Sequence, residues 1–185
     1  DYIAGYAAAG KLQNMVNTIF IAYGATIATF VGQNRGAGRL DRVRQGVKDT
    51  QIMILIAAAA SFLIIHFFAG KLTLIFVDSS KTVVIDAANQ YFKTVSWCYP
   101  FLGSIFLYRN ALQGMGYGLV PMLGGVFELL ARGAVVMLVL RLGGGYVSTC
   151  LSDPAAWVSA LIPLIPYYFY KMRKYSSLQE KKTVL

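Results

Sequence analysis

The sequence predicts an all-α, polytopic membrane bundle of about five transmembrane helices, and three observations carry that reading. Hydrophobic residues make up 57% of the 185 and charged residues 14%, where a soluble domain is about 45–50% apolar. The apolar residues are gathered into long blocks. Thr50 to Gly70 runs for 21 residues without a charge, and as a helix it reaches about 31 Å, the depth of a bilayer core. Finally, the Lys and Arg residues behind the net charge of +9 lie between these blocks, whereas a nucleic-acid-binding domain gathers its cations on one folded surface. The lipid bilayer is therefore the expected partner, and nucleic acid is not.

Spans are predicted at Leu12 to Asn34, Thr50 to Gly70, Thr94 to Tyr108, Val120 to Leu140 and Pro154 to Tyr170. The third is short. Val84, Ala88, Tyr91 and Val95 recur at helical spacing ahead of it, however, and Ser79 or Ser80 offers a cap for a helix starting near Lys81. One long helix reaching past the membrane surface is expected. The fifth span opens with Ser152, Asp153 and Pro154, a cap followed by a proline where its missing N–H costs nothing. Pro100, Pro163 and Pro166 lie deeper, so spans three and five should be kinked or locally unwound.

Cytoplasmic loops retain Lys and Arg. Eleven basic residues follow spans one, three and five, among them Arg35, Arg39, Arg42, Arg44, Lys48, Arg109 and the run from Lys171 to Lys182, and five lie on the other side. This places the carboxy terminus inside and Tyr2 outside. The chain begins with Asp1 and without a basic leader, which reads as an internal starting point with at least one helix upstream.

Several polar features admit two readings. Gln13, Asn14, Asn17 and Thr18 cluster on the outer half of span one; such amides either hold helices together or line a wet cavity that admits a polar solute. Glu128 is ionisable at mid-membrane, where it would bind a proton or cation, or else pair with Arg132 one turn along the same helix. His66, the one histidine, sits among Ile64, Ile65, Phe67 and Phe68 and reads as a packed side chain. Cys98 and Cys150 make neither a disulfide framework nor a metal cluster. Tyr167, Tyr168 and Tyr170 beside Lys171 read as an interfacial aromatic belt. Gly114 to Gly118 is glycine-rich but lacks the Lys-Ser/Thr of a phosphate loop, and it reads as a tight interhelical turn.

The segment Phe30-Val31-Gly32-Gln33-Asn34-Arg35-Gly36-Ala37-Gly38-Arg39 ends a helix in amides and glycines, and its free carbonyls are expected to bond the Gln33 and Asn34 side chains. A basic amphipathic stretch follows it. This string resembles the GQN-x-GAG cytoplasmic loop between the eighth and ninth helices of multidrug and toxic compound extrusion (MATE) transporters. Ala4 to Ala9 resembles the lead into the eighth helix, Tyr99-Pro100-Phe101-Leu102 the tenth, and Asn110 to Gly116 with Pro121 the next cytoplasmic loop. Gln13 stands where members often carry an acid, and Tyr117 where a polar or acidic residue is common.

The resemblance implies that residues 1–185 form a single membrane domain, the second lobe of a two-lobe transporter, with the first lobe and the seventh helix absent. It implies no enzyme and no cofactor, but multidrug efflux by an antiporter of the plasma membrane. Organic cations or amphiphilic drugs would leave in exchange for Na+ or H+. Gln13, Asn14 and Asn17 would form part of the cavity wall, and the amino-terminal half or a second copy would be the partner. Members that couple through this lobe use carboxylates on the seventh and tenth helices, and Lys93 to Arg109 holds no Asp or Glu. Two alternatives are a lipid-linked saccharide flippase of the same superfamily, which would favour a cationic cavity, and a truncated fragment that does not transport. An enzyme would need a carboxylate pair, metal cluster or activated nucleophile within the spans, and none stands out.

Overall fold

A computed structural model describes residues 2–183, with side chains described through Tyr175 and at Ser177. The side chains of Lys181 and Lys182, which entered the charge count above, lie outside that set. The described residues are helical, as expected: α1 (Tyr2–Gly36), α2 (Leu40–Thr73), α3 (Thr82–Val95), α4 (Tyr99–Gly114), α5 (Leu119–Arg141), the short α6 (Tyr146–Cys150) and α7 (Ser152–Thr183). Four helical stretches, α1, α2, α5 and Tyr146–Tyr175, are each long and apolar enough to cross a membrane. The third predicted span is built from two pieces, α3 and α4.

Their junction follows from Pro100. A proline has no N–H to donate to the carbonyl four residues back, here Ser96. Residues Ser96–Cys98 accordingly tighten into a 3₁₀ turn, and the Tyr99 N–H takes the Ser96 carbonyl instead. The single long helix expected from the periodicity is thus interrupted, at the place where the proline predicts unwinding. In α7, by contrast, the helix runs unbroken through Pro163 and Pro166. The expected serine cap of α3 is also corrected. The helix starts after Lys81 with no side-chain cap, and Asp78 Oδ1 accepts the Ser80 N–H at 2.8 Å, which holds the Asp78 carboxyl below its ordinary range.

Polarity is arranged for lipid. The core holds Phe20, Ile54, Phe92, Tyr99, Leu107, Leu112 and Leu164, yet large apolar side chains also cover the outside, with Ile3 at 87%, Leu129 at 70% and Leu140 at 72% exposure. In water such a surface would be a liability. Of α5, Pro121 and Gly124 alone are buried, the latter against Leu164 of α7. Thr18, Thr26 and Thr29 turn their hydroxyls back onto carbonyls of their own helix, the internal satisfaction that hydrocarbon demands.

The helix ends fall into two groups. At one end Arg35 lies over the rings of Tyr117 and Tyr175 at 5.6 and 5.3 Å, uniting the α1–α2 and α4–α5 loops with α7. At the other, Tyr2 packs on Tyr146 with ring centroids 5.0 Å apart, and Lys11 lies 5.5 Å from the Phe76 ring. Each long segment therefore runs from one end to the other, as the alternation of basic loops requires. In cells expressing Arg44→Cys or Ser79→Cys, with Cys98 and Cys150 replaced by Ser, an impermeant maleimide added outside should label residue 79 and spare residue 44. Labelling of residue 44 from outside would reverse the orientation.

Candidate substrate cleft and loop motif

The glycines of the loop motif have separate tasks. Gly38 takes φ +71° and Gly116 φ +78°, the left-handed region where a Cβ is disfavoured. At the first, the Arg39 N–H reaches the Asn34 carbonyl at 2.8 Å and the Gly38 N–H reaches Arg35 at 3.0 Å; at the second, Tyr117 reaches Leu112 at 2.9 Å and Gly116 reaches Gln113 at 2.8 Å. Both are Schellman caps, so backbone N–H groups close these helix ends. Side-chain amides, expected from the sequence to do that work, do not. Instead, Gln33 is exposed, and Asn34 Nδ2 donates to Phe30 one turn back at 2.8 Å. Gly114 acts through its lack of bulk. A Cβ there would stand 2.4 Å from the Ala28 carbonyl oxygen, whereas one on Gly32 would lie 3.5 Å from the Gly114 oxygen, an ordinary contact that an alanine could make. The two motif loops therefore meet where α1 crosses α4. Gly36 has open space around it, and the structure gives no packing reason for it.

The polar residues singled out in span one converge with those of α5. A cleft of about 300 Å³ is lined by Gln13, Asn14 and Asn17 from α1, Glu128 and Arg132 from α5, and Tyr6, Tyr91, Phe106, Asp153 and Trp157 among others. Gln13 is buried and serves both readings of the amide cluster: its Oε1 accepts from Tyr99 of α4 at 3.1 Å, and its Nε2 donates to Asn17 at 3.3 Å. Asn14 is exposed and Asn17 half-buried along the same wall.

The ion pairs differ from expectation. Glu128 pairs with Arg109 of α4, and Arg132 pairs with Asp153 at the start of α7. The one-turn spacing that suggested a Glu128–Arg132 pair is thus used to link α5 to two other helices. Each charge is neutralised across a helix interface, which ties the bundle together as a pair within one helix would not. Asp153, read from sequence as a helix cap, is the centre of this network. It is 5% exposed, and it accepts from Tyr91 at 2.7 Å and from Tyr6 at 3.5 Å as well as from Arg132. The sequence signal for it was present, since an aspartate beginning an apolar span is an ionisable group at the membrane, but the local capping pattern accounted for it.

Of the remaining residues, His66 behaves as a packed side chain: its Nδ1 lies 3.1 Å from Ser96 Oγ and its ring stacks on Phe62 at 4.8 Å. Lys171 sits 4.4 Å from the Tyr117 ring and 5.0 Å from that of Tyr167. Tyr168 departs from the expected belt, because it is buried against Tyr108. Cys98 and Cys150 are free thiols.

A helical bundle with an apolar exterior and a polar cleft among its helices is the form of a multi-pass membrane protein, and comparison with known proteins specifies which kind. The MatE family model matches residues 1–139, and the chain belongs to that family. It is 26% identical over 145 residues to a protein named FAD transporter from Shewanella oneidensis, covering 78% of this chain and 31% of the relative. It is 24% identical over 139 residues to the probable multidrug resistance protein YpnP of Bacillus subtilis, covering 75% of this chain and 29% of the relative. The matched region thus spans about three tenths of the length of these relatives. No solved structure matches.

Proposed function

We propose that this chain forms the second lobe of a secondary active efflux transporter of the cell membrane, with its carboxy terminus in the cytoplasm. The transporter exports organic cations or other amphiphilic drugs in exchange for Na+ or H+, and an amino-terminal lobe or a second copy supplies the facing wall. The observation that carries the reading is the convergence of Asn14 and Asn17 with aromatic rings, Glu128 and the Arg132–Asp153 ion pair in one cleft, within a chain of the MatE family. Transporters built from two repeated halves place their cargo between those halves near the bilayer midplane. Because Arg132, the one cation among the described residues that line the cleft, is matched by Asp153, the lining offers no surplus cation to attract an anionic saccharide carrier, which favours the drug reading over the flippase.

The test is ethidium efflux from proteoliposomes carrying this chain with an amino-terminal lobe, under an imposed Na+ or pH gradient. FAD serves as a second cargo, since one relative is named for it. Asn17→Ala should lower ethidium efflux several-fold with folding unchanged. FAD transport without ethidium transport would replace the substrate class, and full activity in the variant would remove the cleft from the pathway.

A further inference from the structure

We propose that the groove between α2, α4 and α7 on the basic side of the bundle binds one anionic phospholipid. This goes beyond the transport reading and lies away from the Asn17 cleft. The groove encloses about 480 Å³, and its walls include Arg44, Lys48, Ile52, Tyr108, Phe169 and Arg173.

The order of these residues along the two long helices favours a lipid. Helix α2 leaves the basic loop at Leu40 and descends into the bundle, so Arg44 comes first, Lys48 one turn deeper, and Ile52 about 12 Å below Arg44. Helix α7 runs the opposite way and reaches that loop at Tyr175, whose ring lies 5.3 Å from Arg35, so Arg173 lies at the rim and Phe169 a turn deeper. Both walls therefore pass from cation to hydrocarbon in the same direction, the order in which a phospholipid presents its phosphate and its acyl chains. Tyr108 of α4 is half-buried and lines the groove beside Tyr168, at the level where aromatic rings meet headgroups. Among the described residues of this lining three side chains are cationic and none is a carboxylate; the neighbouring Asp49 accepts from Gln45 Nε2 at 2.8 Å. Ile52 and Phe169 are each about half exposed, which leaves apolar surface for a chain to cover. Basic pockets between helices on the side facing anionic lipid have this chemistry.

The experiment is native mass spectrometry of the purified chain in a non-ionic detergent, titrated with phosphatidylglycerol, with phosphatidylcholine as the zwitterionic comparison and inorganic phosphate as a competitor. One phosphatidylglycerol should bind in preference to phosphatidylcholine, and millimolar phosphate should not displace it, because a free phosphate lacks the acyl chains. Removing the three cations together, as R44Q/K48Q/R173Q, should weaken phosphatidylglycerol binding about a hundred-fold, given roughly 1 kcal/mol for each cation near an anionic surface. Phosphatidylcholine binding should be unchanged. The comparison variant R39Q/R42Q/K174Q removes the same charge from exposed positions off the groove lining and should retain the site. Equal binding of the two lipids, displacement by phosphate, or an equal loss in the comparison variant would each overturn the proposal.

Discussion

Replacing Asp153 by alanine is expected to be the most damaging single change among the polar residues of the bundle, destabilising it by about 3 kcal/mol. Three partners converge on this carboxylate from three helices: Tyr6 of α1, Tyr91 of α3 and Arg132 of α5. Alanine strands the Tyr91 hydroxyl and leaves the Arg132 guanidinium without its counter-charge. Breaking a buried pair costs about 3–5 kcal/mol, and the lower figure applies because the Arg132 side chain keeps 39% of its surface exposed and can turn into the cleft. Asp153→Asn retains an acceptor for Tyr91 and should be milder. Thermal unfolding in detergent checks the order, and a double-mutant cycle checks the cause. Coupling should be large between Arg132 and Asp153 and between Arg109 and Glu128, and smaller between Glu128 and Arg132. A larger coupling within α5 would restore the pair first suggested by spacing.

The second large effect is expected at Gly114. A methyl group there would sit 2.4 Å from the Ala28 carbonyl oxygen, and that obstacle is backbone, which no rotamer change can clear. Helices α1 and α4 must separate at the crossing that joins the two motif loops, so Gly114→Ala should cost about 1–3 kcal/mol as overpacking. Gly125 of α5 has nothing within 4 Å, so Gly125→Ala should be neutral or gain a few tenths of a kcal/mol from helix propensity. Melting of the two variants side by side separates the effects. Equal stability would mean that the close approach at Gly114 does not hold the crossing.

These residues also show what the sequence makes legible. The spans, the alternation of basic loops and the break before Pro100 can be read because each depends on a run of neighbours along the chain: a charge-free block, a charged loop, a missing N–H. The amides of span one can be flagged for the same reason. What joins Gln13 to Tyr99, Arg109 to Glu128 and Asp153 to Tyr91 cannot be read that way, since the partners are separated by 86, 19 and 62 positions and meet through helix packing. One-turn spacing is the one ion-pair geometry that sequence displays, so it suggests Glu128–Arg132, whereas the fold pairs each with a residue of another helix. Asp153 was absorbed by a local pattern, its place next to Pro154 at a helix start, whereas the fold also uses it as a tertiary acceptor. The motif glycines were visible as a string, but the division between backbone conformation at Gly38 and close approach at Gly114 required coordinates.

On the proposed function the cleft is one wall of a transport pathway completed by a facing lobe. This is tested most directly by gradient-driven ethidium efflux from proteoliposomes, comparing residues 1–185 alone with the same residues co-reconstituted with an amino-terminal lobe. Alternating access requires two bodies that move against each other around a shared site. No efflux is expected from residues 1–185 alone, and efflux on pairing should be sensitive to Asn17→Ala. Robust gradient-dependent efflux from the lone chain, or efflux on pairing that ignores the cleft, would contradict it.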